Sequence, residues 1–340
     1  MRAISKTGTF KVVLEGKGPL TLRPSNYIAA GGEGSIYVAG DTAIKIYQDP
    51  KNKIPWNKVK EKVSFFKQHT HPYVIAPQGL VTDISGDQIG YYMPYVKDID
   101  HGGNAEPIAR VFTNDGRLRL GLTETDSSTL VERMREIILF AHANNAITVD
   151  ANELGYFVIP KGKSGPEPRM IDVDCWVLNG QKPPTLPIMP SIRDWHSTTP
   201  FGEAQDWFAF AVVSFQVYVG LHPYKGSLDG YLPKDFELRM KKNASVFEPK
   251  IRLNRAVRDF SCIPDSLREW YEATFKKGER SIPPSPFDTK KIARALKTLR
   301  VVSGPSSSSL IFKKLYGDVH DPVIQVYSCG IAFYRSGALI

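Results

Sequence analysis

Alternation of apolar and polar residues dominates the first hundred residues of the chain and predicts a sheet. Strands are predicted over these segments: 9–16, 19–24, 27–47 (several strands around a glycine-rich turn), 74–83 and 88–96. Within 56–68 the period changes, because Trp56, Val59, Val63 and Phe66 recur near helical spacing with charges between them. That segment is therefore predicted to be an amphipathic helix beside the sheet.

Helical periodicity prevails in the second part of the chain. Helices are predicted over 129–145, 207–221, 264–278 and 288–300, with Pro264 at the start of the third. Two short apolar strands are expected within 139–159 and 169–178. Residues 98–128 have few apolar anchors and are expected to be an insertion or an irregular connection. Residues 179–200 are dense in Pro, Ser and Thr and are expected to be irregular. The apolar run 207–221 is too short to span a bilayer and predicts a buried helix.

Composition narrows the class of protein. A chain of 340 residues with 42% hydrophobic and 11% aromatic content can bury a sizeable core. Its three cysteines, Cys175, Cys262 and Cys329, have neither metal-ligand spacing nor a disulfide pattern, and the first residues lack the apolar core of a signal peptide. A cytoplasmic protein without membrane segments is expected. The net charge of +9 favours an anionic partner, but it is spread along the chain without a basic and aromatic stripe, which disfavours nucleic acid.

The glycine-rich turn and the strand after it can bind phosphate. Gly31, Gly32 and Gly34 would let the backbone approach a phosphate, and Lys45 on the following strand could reach the same group. An ordinary turn is the alternative for the glycines, and a solvent-facing position is the alternative for Lys45. On the predicted helix, Glu61 is a candidate ion-pair partner for Lys45 or else another solvated charge.

Two aspartates beside short apolar strands fit phosphoryl transfer. That reaction needs one carboxylate to orient the attacking hydroxyl and another to hold the magnesium that neutralises the phosphates. Asp150 is the candidate for the first role and Asp172, in the segment Arg169 to Leu178, is the candidate for the second. Taken alone, Asp150 could equally begin a turn and Asp172 could merely end a strand.

In their order, these motifs resemble a protein kinase domain over roughly residues 25 to 300. The series comprises Gly31-x-x-Gly34, Ala43-Ile44-Lys45, Glu61, Met93-Pro94-Tyr95, Asp150, Asp172, Asp206 and the Gly-x-His-Pro-Tyr segment that starts at Gly220. Within that superfamily, Asp172 to Trp176 and Asp206 to Ala211 are similar to bacterial serine/threonine kinase-like proteins whose magnesium segment reads Asp-Val-Asp-Ser-Phe. The resemblance implies an α+β, two-lobed fold. Its parts would be a small β-rich lobe (1–96), a helical lobe (97–300), a linker (301–309) and a β-rich tail (310–340).

The resemblance also implies a set of site residues. The implied ATP-binding residues are Gly31, Gly32, Gly34, Ile36, Ala43, Lys45, Glu61, Met93 and Tyr95. Asp150 and Lys45 would be catalytic, and Asp172 would bind Mg²⁺ or Mn²⁺, with Asp174 and Asn152 as further oxygen ligands. Asp206 would brace the catalytic loop, and Arg280 resembles a structural arginine late in the large lobe.

The chain departs from the family pattern at two points. Thr148-Val149-Asp150 replaces His-Arg-Asp, and Gly155 stands where an asparagine normally holds a second magnesium. Three function classes follow: a protein serine/threonine kinase whose acceptor the sequence does not identify, the protein itself being one candidate, a nucleotide-binding pseudokinase, and a kinase-fold enzyme acting on a small molecule. The first is preferred because Lys45, Glu61, Asp150 and Asp172 are all present.

Overall fold

A computed structural model gives the structure of the chain. It describes residues 8–31, 34–48, 55–180, 188–197, 201–288, 323–326 and 332–334. The chain forms two compact units, residues 1–286 and 287–340. In the second unit, β13 (Val323–Val326) pairs antiparallel with β14 (Ala332–Tyr334). The predicted linker 301–309 lies outside the described residues, and so does the predicted helix 288–300 beyond Asp288.

The first unit starts with strands and continues with helices, which confirms an α+β fold. The first elements are β1 (Phe10–Leu14), β2 (Gly18–Leu22), β3 (Tyr27–Ala30), β4 (Gly34–Ala39), β5 (Thr42–Tyr47), α1 (Trp56–Gln68), β6 (Gly79–Asp83) and β7 (Gln88–Pro94). They are followed by β8 (Glu106–Pro107), α2 (Ala109–Phe112), α3 (Asn114–Leu120), α4 (Glu124–Ala143), β9 (Ala146–Ile147), β10 (Tyr156–Gly162), β11 (Gly165–Met170), β12 (Val177–Leu178), α5 (Glu203–Val219), α6 (Phe236–Lys241) and α7 (Asp265–Phe275).

The N-terminal strands form an antiparallel sheet in the order β2-β1-β6-β7-β5-β4-β3. Because side chains alternate along a strand, the sheet has two different faces. Ile44 and Ile46 of β5 pack on one face in a cluster with Val12, Leu22 and Val81 of neighbouring strands. Other β5 residues, Ala43 and Tyr47, pack on the opposite face with Val59 of α1. By this alternation Lys45 belongs to the face that α1 covers.

The helical part is built around α5. Almost every residue of α5 is buried, including Phe208, Val212 and Phe215, as the continuous apolar run predicts for a helix enclosed by protein. The helix ends at Gly220, which adopts a left-handed conformation with φ 78°. Across the ranges that the structure describes, no helix combines the length and the apolar character needed to cross a membrane.

Two sequence predictions of secondary structure are wrong. Residues 98–128 are not irregular: besides β8 they contain α2 and α3, and α4 begins at Glu124 rather than at residue 129. Capping explains the starts of α3 and α4, since the Thr113 hydroxyl accepts from the Gly116 N–H at 3.0 Å and Thr123 forms a capping box with Asp126. The strand predicted over 74–83 begins only at Gly79.

The main chain before Gly79 bonds elsewhere. The Ile75 N–H donates to the Met170 carbonyl at 2.8 Å, so this segment joins the end of β11 instead of extending β6. Pro77 lies between the two stretches and has no N–H to offer to a sheet. The short apolar run therefore links the sheet to the strand pair β10 and β11.

His222, just after α5, holds the loop that contains Ser191. Its Nε2 donates to the Ser191 carbonyl at 2.8 Å, while its Nδ1 accepts from the Tyr224 N–H at 3.2 Å. His222 as a whole is 4% exposed, and both ring nitrogens are used in the way a neutral imidazole allows. Protonation of Nδ1 would place a donor opposite the Tyr224 donor. Burial lowers the pKa of His222 to about 3.

Because His222 is neutral in the folded protein, we expect the protein to lose stability in acid. As pH falls below about 6.5 the unfolded chain binds a proton at residue 222 while the folded protein does not, so the unfolded state is favoured. We expect the contribution of His222 to the free energy of unfolding to fall by about 2 kcal/mol between pH 7 and pH 5. Urea denaturation at both pH values should show a smaller pH-dependent loss for His222→Phe than for wild type.

The matched control is His69→Phe, which alters a partly exposed histidine stacked on Phe65. Its free energy of unfolding should be measured at the same two pH values. Equal pH dependence in wild type and His222→Phe would contradict the assignment of a neutral, buried ring.

Candidate functional site

The glycine-rich turn joins β3 to β4, and one of its glycines is required by packing. The Gly31 N–H donates to the Gly34 carbonyl at 2.9 Å, which closes the turn. A Cβ at Gly34 would lie 2.5 Å from the Ile46 carbonyl oxygen, so no other residue fits there without moving β5. Gly32 lies outside the described residues. Packing against β5 is therefore enough to explain a glycine at position 34, without any contact to phosphate.

The other predicted nucleotide-binding residues lie on adjoining strands. Ile36 of β4 faces Lys45 of β5 in register, and Ala43 of β5 faces Met93 of β7. Tyr95 follows β7, and its N–H donates to the Asp41 carbonyl at 2.9 Å. The sheet thus brings these residues to neighbouring positions around the strand that carries Lys45.

Lys45 forms an ion pair with Asp174. Its Nζ contacts the Oδ2 atom of Asp174, and the Tyr47 hydroxyl donates to Oδ1 of the same carboxylate at 3.3 Å. The side chains of Lys45 and Asp174 are 13% and 9% exposed. Of the two alternatives for a lysine in an apolar strand, the structure shows the one with an anionic partner. The ion pair joins β5 to the segment between β11 and β12.

Helix α1 supplies a second lysine to this cluster. The Nζ atom of Lys62 contacts the main-chain carbonyl of Asp174. Sequence reasoning missed Lys62, because one lysine among the four of an amphipathic helix gives no signal that distinguishes a contact within the protein from a solvated position. Glu61 is adjacent in sequence, and its pairing with Lys45 stays a prediction.

The charges of the cluster stabilise one another. Burial opposes ionisation of Asp174, but Lys45 and Lys62 outweigh it and hold the pKa of Asp174 below its usual range. Burial also opposes the charge on Lys45, yet Asp174 and Asp172 raise the pKa of Lys45 above its usual value. Lys62 differs, because burial dominates and lowers its pKa. Lys45 and Asp174 are therefore ionised, whereas the charge on Lys62 is incompletely compensated.

A strained loop presents Asp150. Val149 has φ 66°, an uncommon value for a β-branched residue, and the Asp150 N–H donates to the Thr148 carbonyl at 2.8 Å across it. Buried Asp206 of α5 fixes this turn by accepting from the Thr148 N–H at 2.7 Å and the Val149 N–H at 2.8 Å. The His142 ring contacts the same carboxylate at 2.9 Å. These contacts brace the loop, the role that the resemblance implies for Asp206.

The Asp150 carboxylate is oriented from another part of the chain. Its Oδ1 accepts from the Met189 N–H at 3.1 Å. Within the described ranges Oδ2 has no hydrogen-bond donor, so it can accept one from an incoming hydroxyl. Sequence reasoning could not find Met189, because the contact uses its main chain and depends on no side-chain type.

Asp172 lies beside Gly155. The Ile171 N–H donates to the Gly155 carbonyl at 2.9 Å, and a Cβ at Gly155 would be 3.8 Å from the Asp172 Cβ, an ordinary contact distance. Asp172 is exposed, and its Oδ1 accepts from the Asp174 N–H at 3.3 Å. The structure therefore brings together the two positions at which the kinase pattern expects metal ligands, although one of them carries no side chain.

The other two predicted metal ligands, Asn152 and Asp174, differ in their surroundings. The Asn152 Oδ1 accepts from the Leu154 N–H at 2.8 Å and caps a short turn, so this oxygen already has a structural role. Asp174 lies two residues from Asp172, with the buried Val173 between them. Among the described residues no group of three or more His, Cys, Asp or Glu could hold a metal. Magnesium needs no such group, because it is commonly bound by one or two carboxylates plus phosphates and water.

A partly buried ion pair fixes the segment after residue 187. The Arg280 guanidinium binds Asp194 in a bidentate manner, with Nε to Oδ2 at 2.7 Å and Nη2 to Oδ1 at 2.8 Å. Burial opposes ionisation of Asp194, but Arg280 holds its pKa below the usual range. The same segment contains Met189 and Ser191, so Arg280 stabilises the stretch that contacts Asp150 and His222. This observation gives Arg280 a definite structural partner.

Comparison with known proteins adds no assignment: no family model matches the sequence, and no curated protein matches it.

Proposed function

We propose that the protein is an ATP-dependent protein serine/threonine kinase. The observation that carries the proposal is the Lys45 to Asp174 ion pair. It joins a lysine beside a glycine-rich turn to an aspartate segment, and that segment is bonded to the loop that presents Asp150. A two-lobed, kinase-like arrangement of the α+β fold is part of the same proposal.

Each group has a chemical role in this reaction. The Lys45 ammonium would exchange Asp174 for the phosphates of the nucleotide, and Asp150 Oδ2 would accept the hydrogen bond of the acceptor hydroxyl. The Met189 N–H would keep the Asp150 carboxylate oriented while this happens. Since phosphoryl transfer depends mainly on positioning and electrostatic stabilisation, these contacts supply much of what the reaction needs.

The carboxylates fit a magnesium or manganese ion. Asp172 is exposed and Asp174 is ionised, and hard oxygen ligands of this kind suit both metals. A bound metal would neutralise charge on the phosphates. Asp172 is the first candidate to hold it, with Asp174 the second once Lys45 has turned to the nucleotide.

A nucleotide-binding pseudokinase is the second candidate function, and Gly155 is the observation that favours it. Glycine cannot coordinate the second metal ion that the kinase pattern places at this position. In that case the lysines and the glycine-rich turn would still bind nucleotide, but transfer to an acceptor would be absent. Binding and transfer must therefore be measured separately.

Nucleotide binding is expected to raise the melting temperature. A ligand that binds only the native state stabilises it by about 2.7 kcal/mol at a hundredfold excess over its dissociation constant. Differential scanning fluorimetry with Mg-ATP should show a shift that grows with concentration in wild type and is much smaller in Lys45→Met. A folded wild-type protein with no shift at millimolar ATP would contradict the proposal.

The transfer step is tested by incubating the protein with labelled ATP, magnesium or manganese, and generic protein acceptors, with the protein itself among the acceptors. Label on serine or threonine is expected. A thermal shift without any phosphoryl transfer would overturn the kinase proposal and support the pseudokinase.

A further inference from the structure

Lys62 occupies an unusual position for a lysine. It lies on α1, whose Val63 and Phe66 are buried, and Phe66 packs against Trp176 with ring centroids 5.4 Å apart. Trp176 follows Asp174 by two residues, so this contact fixes α1 against the aspartate segment. The Lys62 side chain is consequently directed into the site by the packing of its helix.

The Lys62 ammonium lacks a counter-ion in the described structure. Its contact there is the Asp174 main-chain carbonyl, a neutral acceptor, and no carboxylate of the described residues lies within ion-pair distance of it. The Asp174 carboxylate is already bound by Lys45 and Tyr47. An ammonium has three N–H donors, so two donors of Lys62 have no acceptor among the described residues.

Placing the Lys62 ammonium here lowers the stability of the folded protein when no ligand is bound. A half-buried cation without a paired anion is destabilising, and the neighbouring Lys45 adds repulsion. A site that accepts this cost to hold two lysines together is complementary to a ligand with several negative oxygens.

We propose that Lys62 is a second phosphate-binding lysine, which together with Lys45 forms a two-lysine site for the polyphosphate chain of a nucleotide. The nucleotide part of this inference rests on the proposed function. Phosphate oxygens would supply acceptors for the unused donors of Lys62 and the counter-charge that the protein does not provide. Lys62 is then a binding residue for the ligand and not a stabilising residue of the fold.

The test compares Lys62→Met with Lys60→Met. Lys60 lies on the same helix and is exposed, so both variants remove the same charge and keep a similar side-chain length. Isothermal titration would measure the affinity of each protein for inorganic tripolyphosphate, Mg-ATP and adenosine. We expect Lys62→Met to weaken tripolyphosphate and ATP about tenfold or more with little effect on adenosine, and Lys60→Met to resemble wild type.

A stability measurement separates binding from folding. Because Lys62→Met removes a half-buried charge that the protein compensates only in part, its melting temperature without ligand should be equal to or above that of wild type. If Lys62→Met fails to fold, Lys62 is structural and the proposal is overturned. Lys62→Arg, which keeps the charge, should retain more affinity for tripolyphosphate than Lys62→Met.

The outcomes distinguish this inference from the proposed function. If wild type and Lys62→Met bind ATP with equal affinity, the role of Lys62 is overturned and the kinase proposal stays intact. Wild type that binds tripolyphosphate through Lys62 but does not bind ATP would support the two-lysine site and overturn the ATP-dependent function. Wild type that binds neither ligand would overturn both.

Discussion

Asp172→Asn is expected to lower phosphotransfer by at least about two orders of magnitude, which corresponds to a loss of roughly 2.7 kcal/mol in transition-state stabilisation. The substitution removes a negative charge at the exposed position beside Gly155 while keeping the shape of the side chain. Asp150→Asn should have an effect of similar size, because it removes the carboxylate that would orient the acceptor hydroxyl. Initial rates with labelled ATP measure both effects.

Gly155→Asn is the informative comparison in the same assay. Gly155 is not in the left-handed region and a Cβ there meets only an ordinary contact with Asp172, so a Cβ can be added without backbone strain. An asparagine would restore an oxygen ligand beside Asp172, and its rate should equal or exceed that of wild type. Rates of wild type and Asp172→Asn that cannot be told apart, with magnesium and with manganese, would refute the kinase and favour the pseudokinase.

Asp206→Ala is expected to cost about 3–5 kcal/mol of unfolding free energy, since it removes a fully buried carboxylate and leaves its hydrogen-bond partners unpaired. Those partners are the Thr148 and Val149 N–H groups and the His142 ring. The strained conformation of Val149 would lose its support, so Asp150 would lose its position and phosphotransfer would fall as well. Urea denaturation measures the stability, and amide hydrogen exchange at Thr148 and Val149 reports the loop.

The control for Asp206→Ala is Asp229→Ala. Asp229 forms an ion pair with Arg252 at 2.8 Å, but both side chains are exposed, so its loss should cost less than about 1 kcal/mol. Similar losses for the two variants would show that Asp206 does not brace the loop.

Periodicity and motif spacing predicted much of the fold because both depend on local sequence. The helix predicted over 56–68 is α1, and the alternating segments became strands of the N-terminal sheet. The helix α3 was missed because its start depends on a single capping group, Thr113, which a scan for apolar positions does not register. Long-range contacts were harder still. Asp174 was expected only as a further metal ligand, and its pairing with Lys45 requires two segments 129 positions apart to meet.

The Asp150 loop is held almost entirely through main-chain groups. Asp150 accepts from the N–H of Met189, and Asp206 accepts from the N–H groups of Thr148 and Val149. Every amino acid except proline provides such a donor. An alanine scan of residues 148, 149 and 189 would therefore leave these hydrogen bonds in place, and only a proline scan would break them one at a time. A loop of this kind can exchange most of its side chains and keep its shape. Its amino-acid sequence therefore says little about the conformation that positions Asp150.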